Sequence, residues 1–237
     1  MRLETRDRVC AFWSRFFDLP VERLSAPGVT VSPSSDGWPG IVVAGDSTAV
    51  HVRCPEDVAG MLTARLSGLA PRLLWRPETW TRMSGLRVGA VLGPSVHAYA
   101  DDVAALPSAD PRVREVPSDV VLALKPRVPP EEWAESGLTG EVLRAFSLRE
   151  HDQVVAAAVL SDFDGMAADV GLLTDPLTRG RGHGRAVAAA AVRSALVEHG
   201  ICRWRALATN LPSRGLAHRL GFTDFGANLA VRLDADG

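Results

Sequence analysis

The residues of this 237-residue chain best suited to chemistry form one short run, Arg179-Gly180-Arg181-Gly182-His183-Gly184-Arg185. Glycines let the backbone take left-handed dihedrals and approach a ligand closely. Amide N–H groups in such a loop can converge on one concavity, and a following helix adds its free amides and positive dipole end. With Arg179, Arg181 and Arg185 supplying charge, the natural guest is a diphosphate. Two familiar phosphate loops are excluded residue by residue. A Walker loop ends in Gly-Lys-Ser/Thr, and the chain's only lysine is Lys125. The dinucleotide fingerprint Gly-x-Gly-x-x-Gly fails because Arg185 and Val187 stand where a third glycine is required.

The surrounding elements place the loop between a strand and a helix. Upstream, Val142–Arg149 and Val154–Leu160 read as strands turning at Glu150-His151-Asp152, and Asp164-Gly165 signals a hairpin into a strand at Ala167–Thr174. Downstream, an alanine-rich helix runs to His199 and closes at Gly200; a strand Cys202–Thr209, a helix Pro212–Leu220 and a last strand or hairpin over Phe222–Leu233 follow. This order implies an α/β (α+β) architecture, a mixed sheet flanked by helices.

Toward the N-terminus, Val9, Phe12, Trp13, Phe16 and Phe17 make one helical stripe that stops before Pro20. Short strands follow near Val29–Val31, Ile41–Val43 and Ala49–Val52, then a helix from Pro55 to Leu66 and strand pieces at Leu86–Leu92 and Val96–Tyr99. The proline-broken stretch Leu106 to Pro111 reads as a linker, dividing an N-terminal α/β domain (1–111) from a second domain (112–237). A short helix opens at Glu131-Glu132-Trp133. Trp75, Trp80, His97 and Tyr99 read as core rather than pocket lining.

Composition excludes several classes. A net charge of −2 leaves no basic surplus for nucleic acid. No apolar run reaches bilayer length and the start is charged, so a cytoplasmic protein with no membrane partner is expected. Cys10, Cys54 and Cys202 are odd in number and far apart, giving neither a disulfide framework nor a metal spacing, and no metal is expected.

The spacing Arg179-x-x-Gly182-x-Gly184 resembles the coenzyme A pyrophosphate signature of the GNAT N-acetyltransferase superfamily. Leu172-Leu173-Thr174-Asp175-Pro176 before it, and Asn210-x-x-Ser213 and Leu220-Gly221-Phe222 after it, resemble further elements of that family, together covering roughly residues 112 to 233. The resemblance implies a GNAT-type sheet whose fourth strand splays from the fifth, with acetyl-CoA as co-substrate. Backbone groups of Leu172, Leu173 and Thr174 would bond the pantetheine arm, one amide polarising the thioester carbonyl. Arg179, Gly180, Arg181, Gly182, His183, Gly184 and Arg185 would hold the pyrophosphate, with Asn210, Ser213 and Ala217 along the arm. It implies transfer of an acetyl group to a primary amine of a small molecule or peptide, by a monomer or homodimer.

The family pattern is incomplete here. The position of the usual acidic tyrosine is Ala217; its neighbour His218 is about 100° further around the helix. The position of the usual glutamate base is Ala168, and the adjacent Asp169 would need a bulge to point inward. Asp169 and His218 are therefore the candidate base and acid, while His183 should face either ligand or solvent. The alternatives are an acyl-CoA-binding module with weak catalysis and an acyltransferase using another acyl-CoA. The N-terminal residues could form a degenerate half of the same fold.

Overall fold

A computed structural model describes residues 1–34, 38–138 and 140–234. The chain forms two compact units. The C-terminal unit comprises Met1–Thr5, Ala98–Arg205 and Pro212–Thr223; the N-terminal unit comprises Arg6–His97, Ala206–Leu211 and Asp224–Gly237. The division does not fall at the proline-broken segment. Leu106 is buried and Arg193 donates to the Pro107 carbonyl at 2.6 Å, so that segment is fastened to the C-terminal unit.

In the C-terminal unit, β5 (Arg114–Val116), β6 (Arg144–Glu150), β7 (Gln153–Phe163) and β8 (Ala167–Thr174) form an antiparallel meander, and β9 (Cys202–Leu207) runs parallel to β8. Both tight turns carry a positive φ pair, at His151-Asp152 in a two-residue hairpin and at Asp164-Gly165 in a three-residue loop. Helix α5 (His183–His199) covers one face with Val187, Ala188, Ala191, Val192 and Ala195, all fully buried. Alanine suits this place twice over, as the best helix former and as a side chain small enough for close contact with a sheet. Gly200 ends the helix in the left-handed conformation, its N–H donating to the Leu196 carbonyl at 3.1 Å. On the other face Val121 and Leu124, from the 3₁₀ segment Ser118–Arg127, join Trp133 of α4 (Pro130–Glu135) and Leu138 over Ala157, Val159 and Leu173.

The N-terminal unit has the sheet order β1-β3-β2-β10-β4: β1 (Gly28–Ser34), β2 (Gly40–Gly45), β3 (Ala49–Pro55), β4 (Val88–Ala100) and β10 (Thr223–Leu233). Here β1 runs parallel to β3, so the meander of the C-terminal unit is not repeated. Helices α1 (Leu3–Phe17), α2 (Glu56–Leu66) and α3 (Pro77–Thr81) pack with it. Trp80 and His97 are core as expected: the Trp80 indole donates to the Leu74 carbonyl (2.8 Å) and the His97 ring meets Asn228 Oδ1 (2.6 Å). Tyr99, fully buried, belongs to the other unit. Two strand pieces around Gly93-Pro94 prove to be one strand, β4, whose pairing continues through Pro94: its carbonyl accepts from Ala208 N–H at 2.9 Å.

Among the described residues no helix is long and apolar enough to cross a membrane, and no group of three or more His, Cys, Asp or Glu is placed to hold a metal ion.

Candidate active site at the splayed strand and glycine loop

Strands β8 and β9 are paired only at Ala168↔Cys202 and Asp169↔Arg203. Beyond that point β8 continues for five residues to Thr174 with β7 on its other side. Asp175 N–H donates to the Val155 carbonyl at 2.9 Å, so Asp175, Leu173 and Gly171 turn their backbone groups toward β7. By alternation, Val170, Leu172 and Thr174 direct theirs toward the edge that β9 has left. An extended ligand can add to such an edge as a further strand.

The loop after β8 is built before any ligand arrives. Asp175 is 1% exposed. Its Oδ1 accepts from Leu177 N–H (2.9 Å), closing an Asx turn over the 3₁₀ turn Pro176–Thr178, and its Oδ2 is paired with Arg127. Arg127 also donates to the Val154 carbonyl at 3.2 Å, which ties the loop to β7. Gly180 and Gly182 then take φ values of 79° and 82°, and a Cβ at either would enter open space. Gly184 is needed for a different reason: a Cβ there would sit 2.7 Å from Thr174 Oγ1, so helix and strand touch. The first helical bond of α5 runs from Ala186 N–H to the Gly182 carbonyl (3.0 Å), and no side chain caps the helix. The amides of the preceding turn therefore lack helical acceptors and face the positive dipole end. Open space over two left-handed glycines and an uncapped helix fits a diphosphate; the β8 edge that β9 leaves fits an extended amide-bearing arm.

The side chains of the loop are held by carboxylates. Arg179 forms a two-pronged pair with Glu132 of α4 and donates to the Thr174 carbonyl (3.3 Å). Arg181 reaches Glu150 at 3.4 Å, and Arg185 is exposed. Of the two directions expected for His183, ligand or solvent, the solvent-facing one is corrected. Its ring is 2% exposed, beneath the loop, with Nε2 3.0 Å from Glu150 Oε1. As the first residue of α5 it has its side chain folded back onto the β6–β7 turn.

The backbone N–H of Leu172 donates to the Ser136 carbonyl at 2.8 Å. Asp169 lies where β8 and β9 part; its Oδ2 accepts from Arg203 (2.9 Å), while Oδ1 is buried without a hydrogen-bond partner. Arg203 is itself 4% exposed and stacks its guanidinium 3.6 Å from the Phe163 ring centroid. Cys202 beside it is fully buried; desolvation, then the charge of Asp169, raises its thiol well above the ordinary range, so it is no nucleophile. In α6 (Leu211–Arg219), Ala217 faces inward at 2% exposure and His218 faces outward. Ser213 Oγ accepts from the Trp204 indole at 3.0 Å. Asn210 belongs to the N-terminal unit, its N–H donating to the Leu207 carbonyl at 2.9 Å.

Sequence reasoning placed Asp175, Glu132 and Glu150 in local elements but gave neither them nor Arg127 and Ser136 a side-chain or carbonyl contact in the site. Only Asp175 carried a local signal, an aspartate preceding proline in a turn; the others act through contacts distant in sequence.

Comparison with known proteins agrees with this geometry. A family model described as the acetyltransferase (GNAT) family matches residues 112–222. None of the curated proteins matches the sequence. Among solved structures, a GNAT-family protein from Novosphingobium aromaticivorans is 21% identical, with a TM-score of 0.53 over 65% of this chain and 69% of its own. A GCN5-related N-acetyltransferase-like protein from Streptococcus suis is 16% identical, with a TM-score of 0.50 over 97% of this chain and 100% of its own. These two likenesses establish the fold. Residues 112–222, the stretch that holds the splayed strand and glycine loop, match the acetyltransferase (GNAT) family, and the chain has the fold of GNAT-family structures.

Proposed function

We propose that the chain is an acetyl-CoA-dependent N-acetyltransferase acting on a primary amine of a small molecule or peptide. The observation that carries this reading is the continuity of two features: the β8 edge that β9 leaves beyond Asp169 leads directly into the uncapped N-terminus of α5. One is shaped for an extended arm, the other for a diphosphate, and acetyl-CoA joins an acetyl thioester to a diphosphate through such an arm.

Gly180 to Arg185 hold the diphosphate by backbone amides, with Arg179, Arg181 and Arg185 adding charge. Leu172 and Thr174, whose backbone groups face the edge left by β9, align the arm along β8, with Ser213 and Ala217 as its further contacts; Leu173, turned toward β7, does not bond it. The Leu172 amide donates to the carbonyl oxygen as negative charge develops there, an effect of about 3 kcal/mol for one such donor. The amine nitrogen bonds to the acetyl carbon, the carbon–sulfur bond breaks and the thiolate leaves; the amine loses its proton to a base. Asp169 is the candidate base through its unpartnered Oδ1, while its Oδ2 is held by Arg203. His218, facing outward, would need a bridging water to reach a departing sulfur.

The test is release of free thiol from acetyl-CoA across an amine panel. Tight acetyl-CoA binding with no transfer to any amine would favour the second reading, a binding module with weak catalysis. That reading draws on the inward Ala217 and the Asp169–Arg203 pair. Calorimetry across CoA esters tests the use of another acyl group.

A further inference from the structure

Two groups that the acetyl-CoA reading assigns to the cofactor are already engaged, and both by one short segment. Glu132 and Ser136 lie four residues apart, at α4 and the turn that follows it. Glu132 sets a carboxylate against the Arg179 guanidinium, in the manner of a phosphate. Ser136 sets a carbonyl oxygen on the Leu172 N–H, in the manner of the thioester carbonyl. The Leu172 N–H points to the edge vacated by β9, so the Ser136 carbonyl lies on the edge that the arm would use.

The segment is shaped to fit. The Ser136 hydroxyl donates to the Trp133 carbonyl (2.7 Å) and accepts from Leu138 N–H (3.1 Å), which stiffens the turn. Gly137 has φ 72° and lies so close to β8 that a Cβ on Gly171 would come within 2.6 Å of the Gly137 carbonyl oxygen. Trp133 and Leu138, both buried, anchor the two ends in the core below.

We propose that the segment Pro130–Leu138 is a built-in competitor of acetyl-CoA, a latch whose Glu132 carboxylate and Ser136 carbonyl must leave Arg179 and Leu172 before the cofactor can seat. The inference rests on the acetyl-CoA reading of this site. A ligand displacing the latch has to break its contacts, so weakening the latch strengthens binding. A segment that merely supports the site gives the opposite sign.

The experiment is calorimetric titration of acetyl-CoA into the full chain and its Glu132→Gln and Ser136→Ala variants, with hydrogen exchange of the wild type. Glu132→Gln is expected to tighten binding about threefold, the scale of one partly exposed ion pair. Ser136→Ala should tighten it in the same direction. At saturating acetyl-CoA, the peptide containing Trp133 to Leu138 should exchange faster than in the free protein, whereas a passive wall would be protected. Wild-type binding with weaker or equal binding by both variants, or with no gain in exchange, overturns the latch and leaves the cofactor assignment standing. No binding by any of the three proteins overturns both.

Discussion

Gly182 gives the sharpest test of the cofactor loop, because its conformation and its surroundings predict different consequences for two substitutions. Its φ of 82° is left-handed, and a Cβ added there meets no atom within 4 Å. Gly182→Ala therefore carries strain without a clash, at about 1 kcal/mol. For a chain of this size that lowers Tm by about 2–4 °C. Gly182→Asp carries similar or smaller strain, since aspartate tolerates this region better than most residues. It also places a carboxylate in the open space over the helix terminus. Against each phosphate about 4 Å away, the repulsion is about 1 kcal/mol in water and about 4 kcal/mol at the dielectric typical of a protein surface. For a diphosphate the lower bound is about 2 kcal/mol, or roughly a thirtyfold loss of affinity.

The assay is titration of CoA into both variants, with thermal melts run in parallel. The Asp variant should bind at least thirtyfold more weakly than the Ala variant at comparable Tm. The gap should narrow as salt is raised, because exposed charges are screened. Equal affinities for the two variants would refute the loop as the diphosphate site, since they differ chiefly in the charge placed there.

Three other outcomes are expected. Asp169→Asn leaves Arg203 buried with a weaker partner, at about 2–3 kcal/mol given the partial exposure of Asp169; the rate per folded molecule should fall modestly with an altered pH profile, and an unchanged profile removes Asp169 as base. His51 is held neutral by burial, its ring against the Leu24 carbonyl at 3.1 Å and its pKa below the ordinary 6.5, so the unfolded chain binds more protons in acid. Stability is thus fully present above about pH 6.5 and lost as pH falls toward the folded value; replacement by a neutral side chain should flatten that part of the Tm–pH curve. Thiol titration of the native protein should modify Cys10 first, because Cys54 (pushed up to about 11 by burial) and Cys202 are buried, and equal reactivity of all three would contradict the core packing.

The elements most legible in the sequence are those specified by neighbouring residues. The Asp164-Gly165 turn, the strand Ala167–Thr174 and the helix closing at Gly200 all stand where periodicity and turn chemistry put them. The three-residue strand Arg114–Val116 exists only by pairing with Ser147, Phe146 and Ala145, and no local pattern announces it. The proline-broken stretch before it looked like a linker because proline ends periodicity; Arg193, from a helix far along the chain, holds it to the C-terminal unit.

The same distinction divides the candidate site. A diphosphate cradle is made of backbone amides, and the residues that shape backbone are glycines at fixed spacing, so that end is written in consecutive letters. Its stiffness is not: Asp175 is locked by Arg127 from a segment nearly fifty residues away. Proton transfer depends on side chains whose availability is set by such distant partners. Asp169 adjoins the position expected of a base, yet one of its oxygens is occupied by Arg203, on the strand that parts from it. Arg203 cannot simply release it. A guanidinium 4% exposed and stacked on Phe163 keeps its charge without that carboxylate only at a steep desolvation cost. If this chain moves the amine proton through Asp169, Oδ1 must accept it while Oδ2 stays paired with Arg203.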